Sequence, residues 1–150
     1  MNVISAEAEV LIEREPEIVF AYFADLRNEP KWNRGHVKDV TMTSSEPIGL
    51  GTTFEGKHSS FGKATWRLAE YDPPQHIVVD GLVGNAPYRY VGNLERLGRA
   101  TMFRGRIEWE PHGVWRKLGS LLPFILKVQT KRSFRHLRDA INQITEVKKE

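Results

Sequence analysis

VWRKLGSLLPFILKVQTKRSFRHLRDAINQITEVKK, residues 114–149, repeats apolar side chains at steps of three and four. Leu118, Leu121, Leu122, Ile125, Phe134, Leu137, Ile141 and Ile144 therefore collect on one side of a single amphipathic helix. Roughly thirty residues at 1.5 Å each run about 45 Å, longer than a simple core contact in a small domain requires. Such a helix needs a broad, curved partner, and the rest of the chain supplies strands to build one. A sheet bent round a long helix tends to enclose a pocket. Pro123 either kinks the helix or lies near its true start, residues 114–122 then forming a separate turn.

Working back from the helix, residues 99–110 alternate Thr101, Phe103, Gly105, Ile107 and Trp109 with Met102, Arg104, Arg106 and Glu108. That period of two predicts a strand with one wet face, ended by Pro111-His112-Gly113. Residues 88–97 and 77–83 read as the two strands before it, bounded by Gly98 and by Asn85-Ala86-Pro87. Asp72-Pro73-Pro74 is a firm break, because two prolines cannot continue a ladder. Residues 63–71 place Ala64, Trp66, Leu68 and Glu70 on one face; Thr52, Phe54, Gly56 and His58 share a parity on the strand before, and Val37, Val40 and Met42 mark another. At the N-terminal end Ile4, Ala6, Ala8, Val10 and Ile12 alternate with polar residues as a first strand. Pro16 then suits the first turn of a short helix that buries Ile18, Val19, Phe20, Tyr22 and Phe23. A second helical turn over residues 29–33 carries Trp32. Strands joined by short turns imply an antiparallel meander, so the expected class is α+β: one strand, two short helices, six strands and one long helix in a single domain over residues 1–150.

The chain has 150 residues, of which 27% are charged, an ordinary globular balance; only residues 146–150 look frayed. With no cysteine, disulfides, thiolate metal sites and a cysteine nucleophile are excluded, and the cytoplasm is the expected location. Residues 1–13 carry Glu7, Glu9 and Glu13 and no basic-then-apolar pattern, so they do not read as a signal peptide. No apolar run approaches the roughly 18 residues of a membrane span. The net charge of +3 is uneven: residues 115–150 hold nine Lys/Arg against three Asp/Glu, which gives the last helix a basic back.

Glu15-Pro16-Glu17-Ile18-Val19-Phe20, Trp32-Asn33, Gly49-Leu50-Gly51-Thr52, Tyr71-Asp72-Pro73-Pro74-Gln75-His76-Ile77 and Gly98-Arg99-Ala100-Thr101 follow one another in an order and spacing that resembles the START-like (SRPBCC) superfamily, in its polyketide cyclase/dehydrase branch. The resemblance spans nearly the whole chain. It implies a helix-grip fold: a seven-stranded antiparallel sheet wrapped round the C-terminal helix, with a cavity between them. It implies a pocket and not a reaction, since members include lipid carriers, cyclases, oxygenase domains and hormone receptors.

For a hydrophobic ligand such as a lipid, polyketide or isoprenoid, the cavity wall would come from the inward parity of the strands and the inner helix face. The candidates are Trp32, Phe54, His58, Trp66, Tyr88, Tyr90, Phe103, Ile125 and Gln129, with His58, Glu70, Tyr88, Tyr90, Thr101 and Gln129 as orienting polar groups. Binding or carriage is the leading expectation. A cyclase or dehydratase would need a base beside a carbonyl and a donor for the enolate, for which His58 with Glu70 or Tyr88 is the available kit. Five scattered histidines lack ligand spacing, so neither a metal nor another cofactor is expected. Lys127, Lys131, Arg135 and Arg138, at steps of four, four and three, form a stripe that could meet anionic lipid headgroups or an acidic protein, with Arg104 and Arg106 extending it. Aromatics that could stack bases are missing from that stripe, which argues against nucleic acid. A monomer or a loose dimer fits the polar outer sheet face.

Overall fold

The structure, a computed structural model, describes residues 3–111 and 117–148. Seven strands, β1 (Ile4–Ile12), β2 (Val37–Met42), β3 (Thr53–His58), β4 (Gly62–Asp72), β5 (His76–Val83), β6 (Ala86–Leu97) and β7 (Ala100–Trp109), form one antiparallel sheet in the order β1-β7-β6-β5-β4-β3-β2. Two short helices, α1 (Pro16–Ala24) and α2 (Glu29–Trp32), fill the crossover from β1 to β2, joined by a 3-10 turn at Leu26–Asn28. The long helix α3 (Leu121–Lys148) returns across the concave side. This is the expected helix grip.

Local chemistry accounts for the elements. Pro16 occupies the first turn of α1, where its missing N–H costs nothing, and Glu17 sits by the positive helix end and pairs with Arg96. Asp25 caps the 3-10 turn by accepting from the Arg27 N–H at 3.1 Å. The β5–β6 hairpin turns at Gly84 (φ 65°) between the paired Val83 and Ala86, one step earlier than the Asn85-Ala86-Pro87 turn expected from sequence. Val37, Val40 and Met42 share the inner face across an odd-to-even step because β2 bulges between Lys38 and Thr41, with Asp39 at φ 57°.

A second bulge corrects one expectation. Leu68 pairs with Val79 and Glu70 with Val78, so Ala69 is an extra residue and the parity of β4 reverses there. Tyr71 turns inward against Phe20, ring centroids 5.4 Å apart, and Glu70 faces out to His76 at 2.7 Å.

The core is continuous from α1 through the sheet to the middle of α3. Phe23 meets Trp32 at 5.7 Å and Phe103 at 5.0 Å, and Phe103 meets Phe134 at 5.3 Å between ring centroids. Phe134 can lie on β7 because residue 105 is glycine: a Cβ there would stand 2.4 Å from the ring. Leu137 and Ile141 continue the buried face over β1.

α3 begins at Leu121 with Pro123 in its first turn, the unkinked alternative, and its 28 residues span about 42 Å. Residues 114–116 of the expected helix, the expected turn at 112–113 and residues 149–150 lie outside the described residues, while the helix continues through 146–148, expected to be frayed. Leu118, Leu121 and Ile125, expected on the buried stripe, are exposed, as is Ile18 of α1. Leu122 of the first turn is buried against Ala86 and Trp109 of the sheet, and the gap that positions the site lies between that contact and the Phe134 contact further along α3. Among the described residues no helix is long and apolar enough to cross a membrane.

Candidate functional site

Between the first half of α3 and the sheet lies a two-chambered cavity. The outer chamber, about 270 Å³, is walled by Phe61, Val83, Tyr88 and Trp109 from the strand side and by Leu122, Ile125, Leu126 and Gln129 of α3, with His36, His58 and Ser60 around it. Those four helix residues recur at i, i+3, i+4 and i+7, one face of the helix. An inner recess of about 40 Å³ shares His58, Val83, Tyr88, Leu126 and Gln129 with the chamber. It continues to Glu29, Asn33, Val37, Trp66, Tyr90, Ile107, Thr130 and Ser133. Leu121, Phe124 and Val128 remain exposed on the neighbouring faces of α3, Phe124 by 65%.

The recess ends at a carboxyl group. Glu29 opens α2 and is only 1% exposed, as deep as Trp32 one turn on. Its Oε2 accepts from Asn33 Nδ2 at 2.9 Å and from the Tyr90 hydroxyl at 3.3 Å, and Asn33 Oδ1 accepts from Ser133 Oγ at 3.2 Å. One polar chain thus ties α2, β6 and α3 together. Glu29 Oε1 is buried with no hydrogen-bond partner among the described residues, and so is the indole Nε1 of Trp66, a residue of the same recess.

Burial governs the protonation of this region. It pushes the Glu29 carboxyl up to about 7, against the downward pull of the Asn33 and Tyr90 hydrogen bonds. Burial likewise raises the Tyr88 and Tyr90 phenols, which stay neutral. His58 is pushed down to about 4 by burial and then by His36, whose ring centroid is 6.1 Å away. His36 is itself lowered by burial and by Arg132. At neutral pH His58 is an uncharged imidazole; its Nδ1 accepts from the Ser60 N–H at 3.1 Å, which leaves the proton on Nε2. Gln129 Nε2 contacts the His36 ring nitrogens at 3.1–3.2 Å across the mouth.

Of the nine candidate wall residues, His58, Trp66, Tyr88, Tyr90, Ile125 and Gln129 meet around this cavity. Trp32, Phe54 and Phe103 do not line it. They are buried within the core cluster, because the aromatic-rich parity of β3 and β7 serves the packing of α1, α2 and the middle of α3 as well as the pocket. Glu70 is carried outward by the β4 bulge and bonded to His76, so the paired His58 and Glu70 of the enzyme expectation do not assemble; His58 and Tyr88 do share a wall. Thr101 is spent in the core, donating to the Arg14 carbonyl at 2.8 Å.

Lys127, Lys131 and Arg135 are exposed along α3, while Arg138 reaches Asp139 at 2.9 Å. Arg104 pairs with Glu9 and Glu95, and Arg106 with Glu7 and Glu108, so their charge is balanced within the sheet rather than added to the stripe. Among the described residues no group of three or more His, Asp or Glu side chains is placed to hold a metal.

Sequence reasoning missed Glu29, reading residues 29–33 for Trp32 alone. The signal was present: Glu29, Trp32 and Asn33 stand at i, i+3 and i+4, so a buried Trp32 carries the other two inward with it.

Comparison with known proteins places this architecture. The family described as polyketide cyclase / dehydrase and lipid transport matches over residues 3–142. No curated protein matches the chain in sequence. Among solved structures, a protein of Thermus thermophilus superposes with a TM-score of 0.72 at 17% identity, covering 91% of this chain and 96% of its own. A truncated norcoclaurine synthase from Thalictrum flavum does so at 0.67 and 10% identity, covering 96% and 94%. Ara h 8.0201 gives 0.68 at 12% identity, covering 93% and 98%. At these identities the likeness is one of fold.

Proposed function

Because the chain belongs to the polyketide cyclase/dehydrase and lipid transport family, in the START-like superfamily its motifs resemble, we propose that it binds a small hydrophobic molecule in the cavity between β-sheet and α3. The observation that carries this reading is the gap under α3: Phe134, Leu137 and Ile141 pack directly on the sheet and Leu122 packs on Ala86 and Trp109, while between them Ile125, Leu126 and Gln129 face a chamber of about 270 Å³. Its lining is mostly aliphatic and aromatic with a few polar groups at one end, the composition by which pockets hold an apolar body and fix its orientation. The mouth lies between the β3–β4 turn, at Ser60 and Phe61, and the start of α3.

Of the two pairings expected for turnover, His58 with Glu70 is split across the sheet and only His58 with Tyr88 shares the chamber wall, which makes carriage the favoured reading. An imidazole as acidic as His58, neutral through the physiological range, suits an uncharged ligand. Thermal unfolding in the presence of a panel of fatty acids, isoprenoid alcohols and polycyclic aromatics tests the proposal. A ligand at 100 times its dissociation constant adds about 2.7 kcal/mol to stability and raises the melting temperature by several degrees. A flat response to the whole panel contradicts it.

A further inference from the structure

Given that the cavity is a ligand pocket, the reading on which this inference rests, we propose that its inner recess is a hydroxyl-recognition site: the ligand enters with a single hydroxyl leading, which donates to Glu29 Oε1 and accepts from the indole N–H of Trp66. Glu29 and Trp66 both line the recess, and Glu29 Oε1 and the Trp66 indole nitrogen are both buried without a hydrogen-bond partner among the described residues. A buried carboxylate oxygen or indole N–H left unpaired is costly, so each is poised to gain from whatever enters. Their polarities are opposite. An ammonium group would satisfy only the carboxylate and a carbonyl only the indole or a protonated acid, whereas a hydroxyl both donates and accepts.

Size gives the same answer. The recess, about 40 Å³, is far smaller than the outer chamber of about 270 Å³, so the apolar body of the ligand stays in the outer chamber against Phe61, Val83, Leu122, Ile125 and Leu126. Glu29 is held for this task by two hydrogen bonds, one of them braced in turn. Asn33 and Tyr90 fix Oε2, and Ser133 of α3 fixes Asn33, so Oε1 keeps its direction whether or not the recess is filled. The ligand class is therefore a monohydroxylated hydrocarbon, phenolic or alcoholic.

The test uses 2-naphthol and 2-methylnaphthalene, which differ by a hydroxyl in place of a methyl, titrated calorimetrically at pH 8. Without an acceptor the methyl compound binds about tenfold more tightly, since burying an unpaired hydroxyl is unfavourable. The wild-type protein is expected to reverse that order and bind 2-naphthol about tenfold more tightly, the effect of one hydrogen bond to a charged acceptor. Glu29→Met restores preference for 2-methylnaphthalene; should it not fold, Trp66→Phe supplies the same readout by narrowing the ratio severalfold. A wild-type preference for 2-methylnaphthalene, or a 2-naphthol preference that survives both substitutions, overturns the hydroxyl site while leaving the pocket standing. Failure of both compounds to bind counts instead against the pocket itself.

Discussion

Glu29 is an acid held in a place where ionising is expensive, and stability must register it. Its carboxyl is ordinarily half-ionised near pH 4.5 and here near 7, so below about 4.5 both folded and unfolded chains carry the proton. As pH rises to about 7 the unfolded chain ionises first, and folding loses about 3 kcal/mol, a loss complete above 7. His58 has the opposite slope over a similar range: its depressed folded value makes stability full above about 6.5 and lost as pH falls toward 4. The two partly cancel in the wild type, so the informative quantity is the difference between wild type and Glu29→Gln. Urea melts from pH 4 to 8 should show the variant gaining on the wild type as pH rises; parallel curves would mean that Glu29 is not buried as described. At this scale the sequence told the type of residue better than its employment. Strand parity nominated His58, Trp66, Tyr88 and Tyr90, which do line the cavity, and equally nominated Phe54 and Phe103, which do not, because inward-facing positions of one sheet serve two tasks and period alone cannot divide them.

α3 shows why an element can be read correctly in kind and wrongly in contact. Its apolar period was legible and its start was left open between residue 114 and Pro123, but the stripe was read as buried throughout, and Leu121 and Ile125 are exposed. Periodicity reports which side chains share a face; whether that face touches a sheet depends on how far the helix stands off, which is set elsewhere. Here it is set at Gly105, where Phe134 rests on bare backbone. Gly105→Ala should push that ring away and cost about 1–3 kcal/mol of stability, read by calorimetry. An unchanged melting temperature would place the contact elsewhere. The β4 strand fails in a different way. One extra residue, Ala69, reversed the inside and outside of everything after it, and nothing in the composition of residues 63–71 announces a bulge.

For the whole molecule, order and topology were recoverable because the turn residues and alternating strands agree with one another, each short connection leaving antiparallel neighbours as the simplest pairing. The cavity was recoverable only as a consequence of that fold. Its location at the first half of α3, and its polar end at α2, depend on which side chains fill space and which do not. The molecule is closed by aromatic packing at the middle of α3 and by Leu122 on Ala86 and Trp109 at its start, with the hollow between them. Crystals soaked in 2-bromonaphthalene and measured at the bromine absorption edge test this most directly: the anomalous peak should lie between Val83, Tyr88, Leu126 and Gln129. Those side chains meeting one another across a closed gap, with no bromine among them, would contradict it.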